Sequence, residues 1–171
     1  QTTSNNLKAL CQQHGSTLFM GLLASVNALL YRYTNQEDII VGSPIAGREH
    51  ADLEDQIGFY INTLALRSQF NGENSFEELL AKTKQITLDA YKHQVYPFDE
   101  LVDELNLQRD MSRSALFDVM VVLQNTGETN NNVSQQSLGD LKISNYESDK
   151  NYEASKFDLT FNFSESENQI H

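Results

Sequence analysis

The side chains best suited to acid–base or metal chemistry are few in this chain and lie far apart. They are four histidines and one cysteine, namely His14, His50, His93, His171 and Cys11. Their spacing matches neither the HExxH pattern of a zinc site nor a pair of ligands on one helix face, so we predict no metal site. The GxSxG turn of a serine nucleophile and the GxxxxGKS/T phosphate loop are also absent from the sequence.

Three short motifs carry residues that could line a binding site or organise a turn. They read IGFYINT at residues 57–63, HQVYPF at residues 93–98 and RDMSR at residues 109–113. Asn62 and Thr63 interrupt an otherwise apolar strand, and a buried amide without partners costs about 1–3 kcal/mol. We therefore expect Asn62 either to satisfy nearby backbone or to face a ligand channel, and the residues alone favour neither alternative.

The second and third motifs have simple local explanations. The second is typical of a helix end followed by a proline turn, formed by His93, Gln94, Pro97 and Phe98. The third is typical of a local charged turn, formed by Arg109, Asp110 and Arg113. Taken only as residues, both motifs indicate local structure more than chemistry.

A further segment, residues 42–48 with the sequence GSPIAGR, is predicted to be a shaped loop. Pro44 fixes its own φ angle, and Gly42 and Gly47 permit backbone turns that other residues avoid. Arg48 could pair with a carboxylate of another lobe or lie in solvent, and the sequence favours solvent. The segment lacks the lysine that a phosphate-binding loop requires.

Composition excludes several classes of protein. A formal charge of −12, from 24 acidic and 12 basic residues, excludes a nucleic-acid partner, which requires a basic surface. No apolar run approaches the roughly 20 residues that span a bilayer. One cysteine permits no internal disulfide and favours a reducing compartment, so we predict a cytoplasmic protein. The first residues show no secretory signal and are interpreted as an internal start.

Hydrophobic periodicity predicts an α/β fold in one domain, residues 1–171. Helices are expected before residue 14, after a Thr17 cap, after a Ser75–Glu78 capping box, and after Pro97. The predicted strands are residues 39–41, 60–70, 117–123, 138–146 and 157–163, with a mobile polar loop at 125–137. We expect a two-layer α/β sandwich with the helices on one face of a mixed sheet.

In this order and spacing, the three motifs resemble the late motifs of nonribosomal peptide synthetase condensation domains. The first motif is close to the family pattern IGxFVNT and continues to Arg67. Val95 stands where the family usually has aspartate, and Ser114-Ala115 replaces the usual Asn-Pro. The resemblance covers roughly residues 17–163 and implies the fold of chloramphenicol acetyltransferase, in which two α/β lobes enclose a tunnel.

The resemblance implies that this chain is the C-terminal lobe and assigns positions to its motif residues. The paired histidines of the family's catalytic signature are absent, so no catalytic residue is expected here. The implied substrate-tunnel residues are Gly58, Tyr60, Asn62 and Thr63. The implied lobe-bridging loop contains Gly42, Pro44, Gly47 and Arg48. Residues expected to organise the lobe are Arg67, His93, Gln94, Pro97, Phe98, Arg109, Asp110 and Arg113.

Partners and chemistry also follow from the resemblance. Condensation domains join aminoacyl or peptidyl thioesters by an amide bond in the synthesis of peptide antibiotics. The implied partners are the N-terminal lobe, upstream and downstream peptidyl carrier proteins and an adenylation domain, with no nucleic acid and no membrane. No cofactor is expected to bind directly, because the carriers supply 4'-phosphopantetheine. The isolated chain is predicted to be inactive. Alternatives are a non-catalytic carrier-docking module and a lobe of a coenzyme A-dependent acyltransferase.

Overall fold

The computed structural model describes residues 2–48, 50–53, 55–107, 113–124, 155–166 and 169–171. Its helices are α1 (Thr2–Gln13), α2 (Leu18–Thr34), α3 (Phe76–Lys92) and α4 (Phe98–Glu104). Its strands are β1 (Asp38–Ile45), β2 (Asn62–Gln69), β3 (Val119–Gln124), β4 (Leu159–Ser166) and β5 (Gln169–Ile170). Arg109, Asp110, the predicted loop at 125–137 and the predicted strand at 138–146 lie outside the described residues.

Capping residues fix where the two long helices begin, as the sequence predicts. The Thr17 Oγ1 atom accepts a hydrogen bond from the Met20 amide at 3.3 Å. At α3, the Ser75 Oγ accepts from the Glu78 amide at 3.3 Å, and the Glu78 carboxylate accepts from the Ser75 amide at 2.8 Å. These side chains satisfy amide groups that have no partner within the helix.

The strands form one mixed sheet in the order β2-β1-β3-β4-β5. β1 and β2 are antiparallel, from Asp38 opposite Gln69 to Ile45 opposite Asn62. β1 is parallel to β3, β3 is parallel to β4, and β4 is antiparallel to β5. The sheet and its helices confirm the predicted α/β fold.

The structure corrects the prediction that residues 42–48 form a loop throughout. Gly42 and Pro44 lie inside β1, opposite Ala65 and Thr63 of β2, and the loop begins only after Ile45. Proline has no backbone amide hydrogen to donate to a neighbouring strand. Pro44 lies beyond the register pair Gly42–Met120 that joins β1 to β3, so that pairing does not require a Pro44 amide. Pairing with β2 therefore extends the strand past residues whose types suggest a turn.

The main core lies between the sheet and the helices. Because side chains alternate along a strand, Val41, Leu64 and Leu66 point to one side, which we call the helix face. They pack in one cluster with residues of α2 and α3, including Leu23 and Leu80, which are fully buried. This cluster confirms that the large helices cover one face of the sheet.

The other side of the sheet, which we call the opposite face, carries Gly42, Pro44, Thr63 and Arg67. At its edge, the Arg67 guanidinium donates to both carboxylate oxygens of Asp38, at 2.9 and 2.6 Å. Gln69 donates to the same carboxylate at 2.9 Å. These bonds lower the pKa of Asp38 to about 2, first through Arg67 and then through Gln69. The predicted lobe-organising residue Arg67 thus joins β1 to β2. Among the described helices, none is long and apolar enough to cross a membrane.

We expect the Asp38 contacts to make stability depend on acid pH. The folded-state pKa of about 2 lies below the ordinary aspartate pKa of 3.8, so the unfolded chain binds this proton first. The contribution should be complete above about pH 4 and disappear as the pH falls through about 2. In urea unfolding, the free energy of unfolding of Asp38→Asn should lack this pH-dependent contribution, whereas that of Asp55→Asn should retain it. Equal pH profiles for Asp38→Asn and the unmodified chain would contradict the assignment.

Candidate functional site

The first and second motifs meet at the side chain of Asn62, the first residue of β2. Its Nδ2 atom donates to the carbonyl oxygens of Gln94 and Tyr96, each at 2.8 Å. Its Oδ1 atom accepts from the Phe98 amide at 3.2 Å. The Asn62 side chain therefore holds the turn between α3 and α4 at the start of β2, and we call this contact of Asn62 with residues 94–98 the junction. The structure shows that Asn62 satisfies backbone groups of this turn, and the same residue also lines a cavity.

Asn62 and Thr63 project from opposite faces of the sheet. Asn62 shares the helix face with Leu64, whereas Thr63 lies across from Pro44 on the opposite face. These two residues of one motif, which are neighbours in β2, thus have different surroundings. Their role in a substrate tunnel stays a prediction.

An aromatic contact connects the second motif to β1. The ring centroids of Phe98 and Phe117 are 5.4 Å apart, and the Phe157 ring stacks on Phe117 with a centroid distance of 5.5 Å. Phe117 is buried and lies against Gly42, where an added Cβ would overlap its ring. A glycine is therefore required at residue 42 for close packing rather than for a turn.

Arg113 of the third motif contacts the same region through the chain that precedes β3. Its guanidinium forms an ion pair with Asp118, which directly follows Phe117. His93 is the C-terminal cap of α3, and its amide donates to the Ala90 carbonyl at 3.0 Å. His93 directly precedes Gln94, whereas the Arg113 ion pair joins two side chains beside Phe117. Phe117 and Asp118 lie outside the three motifs, so the sequence does not mark them as site residues.

The loop between β1 and β2 is closed by Arg48, contrary to the preference for a solvated side chain. The Arg48 guanidinium donates to the carbonyl oxygens of Leu53 and Gly58 and lies 4.4 Å from the centre of the Tyr60 ring. Gly47 has a positive φ of 63° and lies so close to the Tyr60 carbonyl that a Cβ would overlap it. Among the described residues, two carbonyl groups and an aromatic ring contact the Arg48 guanidinium.

Two cavities flank the junction. One, of about 350 Å³, lies at the end of β1 and includes Ser43, Ala46, Tyr91 and Gln94. The other, of about 300 Å³, lies between the Arg48-closed loop and the α3–α4 turn, and includes Phe59, Asn62 and Gln94. Beside the second cavity, Ile57 is fully exposed and Phe59 is 87% exposed. Gly58 and Tyr60 belong to the same loop, and Tyr60 donates to Gln56 at 2.8 Å.

Two tyrosine phenols near the site have raised pKa values. A hydrogen bond to Glu104 raises the pKa of Tyr96, and burial raises the pKa of Tyr91, so both phenols are neutral near pH 7. Within the described ranges, no three His, Cys, Asp or Glu residues form a metal-binding group.

We expect Asn62→Ala to destabilise the fold by about 1–3 kcal/mol, because it leaves two carbonyls and one amide without their partner. Urea unfolding would measure the loss, and hydrogen exchange at the Phe98 amide should accelerate. Thr63→Ala, on the other face of the same strand, should cost less than about 0.5 kcal/mol. Equal losses in the two variants would contradict a clamp specific to Asn62.

We expect Gly42→Ala to cost about 1–3 kcal/mol, because its methyl group overlaps a buried ring that cannot move freely. Phe117→Leu removes the overlapping ring atoms, so the double variant should lose less than the sum of the two single losses. A double-mutant cycle from urea unfolding gives this coupling. Strict additivity would show that Gly42 and Phe117 do not interact.

Comparison with known proteins extends the match beyond the motifs. The model of the condensation domain family matches residues 1–171. A linear gramicidin synthase protein of Brevibacillus parabrevis is 48% identical over 164 residues, which are 96% of this chain and 3% of that protein. Gramicidin S synthase 2 of Brevibacillus brevis is 46% identical over 166 residues, covering 97% of this chain and 4% of that protein. The chain thus spans a small fraction of these relatives.

Solved structures show the same fold. The condensation domain of Monacolin K polyketide synthase matches 71% of this chain and 29% of its own, with 24% identity and a TM-score of 0.67. A four-domain nonribosomal peptide synthetase matches 78% of this chain and 10% of its own, with 22% identity and a TM-score of 0.74. From the family match along its whole length and this shared fold, we conclude that the chain belongs to the condensation domain family.

Proposed function

We propose that this chain is the C-terminal lobe of a condensation domain that joins two carrier-bound acyl groups by an amide bond in nonribosomal peptide synthesis. The observation that carries the proposal is the junction at Asn62, where two of the family-like motifs meet, in a chain that the family model matches throughout. The motifs are separated in sequence but physically dependent on one another. We treat residues 1–171 as one domain of that larger enzyme.

The exposed apolar loop supports a partner lobe on this side of the molecule. Ile57 and Phe59 are exposed in the loop whose Gly58 and Tyr60 contact Arg48, and exposed apolar patches commonly mark an interaction surface. The matched region is 29% of the Monacolin K synthase domain, so a condensation domain is larger than this chain. We propose that the loop carrying Ile57 and Phe59 contacts the N-terminal lobe.

The proposed division of labour follows from the side chains at the site. In the reaction, the acceptor amine attacks the donor thioester carbonyl, a C–N bond forms, the C–S bond breaks, and the amine proton leaves with the carrier thiol. Neither cavity is lined by a histidine or carboxylate among the described residues. We therefore assign proton transfer to the N-terminal lobe, and binding and positioning to this chain.

The partners in this proposal are upstream and downstream carrier proteins, which bring their substrates on 4'-phosphopantetheine arms, and a neighbouring adenylation domain. The four-domain synthetase with a similar fold supports such a setting. The single cysteine favours a reducing compartment, and we place the enzyme in the cytoplasm. A carrier-docking module without chemistry is the second candidate, because the paired-histidine signature is absent from this chain.

The test is dipeptide formation from two loaded carrier proteins by the chain joined to its preceding segment. We expect the joined protein to condense and the 171-residue chain alone to be inactive. Asn62→Ala should lower kcat at least tenfold, since a misplacement of about 1 Å can cost on the order of 10²-fold.

Gln85→Ala, an exposed change on α3, serves as the matched control and should leave the rate unchanged. Carrier binding by the joined protein without condensation would favour the docking module. Condensation by the isolated chain would contradict the division between lobes. Equal rates with coenzyme A thioesters in place of carriers would favour the acyltransferase alternative.

A further inference from the structure

Gln94 lies where the two cavities meet. Among the described residues that line them, it is the one that both cavities share. Its backbone carbonyl accepts a hydrogen bond from Asn62 at 2.8 Å, so the root of the side chain is fixed. The side-chain amide itself forms no hydrogen bond within the described part of the chain. It therefore offers one donor group and one acceptor to a ligand.

The linings exclude charge although the protein is strongly acidic. Neither cavity is lined by a described Asp, Glu, Lys, Arg or His, in a chain of formal charge −12. Burial raises the pKa of the Tyr91 phenol, which therefore also stays neutral near pH 7. A charged ligand group would find no side chain of opposite charge among the described residues of these walls. The cavities suit a neutral group.

The volume and the apolar lining residues of the cavity at the end of β1 indicate the size and polarity of the group that it can bind. The cavity at the end of β1 measures about 350 Å³, near the lower end of the roughly 300–1,000 Å³ typical of ligand pockets. Its hydrocarbon walls include Phe19, Leu64, Leu66 and Leu123. A space of this size accommodates one aminoacyl residue more readily than an extended peptide.

We propose that the cavity at the end of β1 binds the acylated, neutral aminoacyl end of a thioester substrate, with an apolar side chain against Leu64 and Leu123. The Gln94 amide hydrogen-bonds the amide of that group, and Asn62 is a positioning residue that holds Gln94 in place. The inference rests on the proposed function, because that function identifies the ligand as an acyl thioester.

Binding of two small probes to the 171-residue chain tests the site. The probes are the N-acetylcysteamine thioesters of N-acetyl-leucine and of N-acetyl-aspartate. Titration calorimetry measures the affinity of the chain for each probe. We expect the leucine probe to bind and the aspartate probe to bind at least tenfold more weakly. No binding of the leucine probe, or equal binding of both probes, would overturn the inference.

Two variants and a control locate the binding. Ala46→Trp fills the mouth of the cavity and should weaken the leucine probe at least tenfold. Ala51→Trp adds the same bulk at an exposed residue that lines neither cavity and should change affinity less than twofold. Gln94→Ala should weaken binding of the leucine probe about tenfold. If Ala46→Trp loses its circular dichroism signal and is therefore unfolded, Gln94→Ala is the variant that tests the site. Unchanged affinity in Gln94→Ala would overturn the assignment.

The same variants separate this inference from the proposed function. If the chain shows the expected binding pattern but its joined form never condenses, the site is supported and the proposed function alone is overturned. Condensation by the joined form, with no binding of the leucine probe to the chain, would overturn the site alone.

Discussion

The three hydrogen bonds of the Asn62 side chain are the constraint on which the arrangement of the motifs depends. A turn without regular structure leaves backbone carbonyls and amides that need partners. Asn62 supplies both kinds of partner at once, because its amide carries donors and an acceptor. No aliphatic residue could do this, and a carboxylate would face two carbonyl oxygens. The α3–α4 turn therefore takes its position from β2.

The junction continues through packing to the opposite face of the sheet. Asn62 fixes the start of α4, the Phe98 ring meets Phe117, and Phe117 lies against Gly42 of β1. Polar and apolar contacts thus form one connected group at the ends of β1 and β2. The helix-face core holds these two strands in register, so the site is built on a rigid scaffold.

Charge is distributed to match the proposed division of labour. The chain is strongly acidic, whereas the described walls of the two cavities beside Asn62 and Gln94 carry neutral side chains. Arg48 contacts carbonyls and an aromatic ring, and Arg67 contacts Asp38, and neither guanidinium lines the two cavities beside Asn62 and Gln94. This pattern agrees with the proposal that this chain binds and orients neutral groups while the N-terminal lobe supplies proton transfer.

The sequence by itself determined the α/β class, the caps at Thr17 and Ser75 and the family, because these depend on local periodicity, capping chemistry and motif order. It failed at Gly42 and Pro44, whose local preference for a turn is overridden by pairing with β2. It also left Asn62 undecided. Only the tertiary structure could decide, because the groups that Asn62 bonds lie 32 to 36 residues further along the chain. Hydrogen bonds across such a separation depend on how strands and helices pack, which the local sequence does not encode.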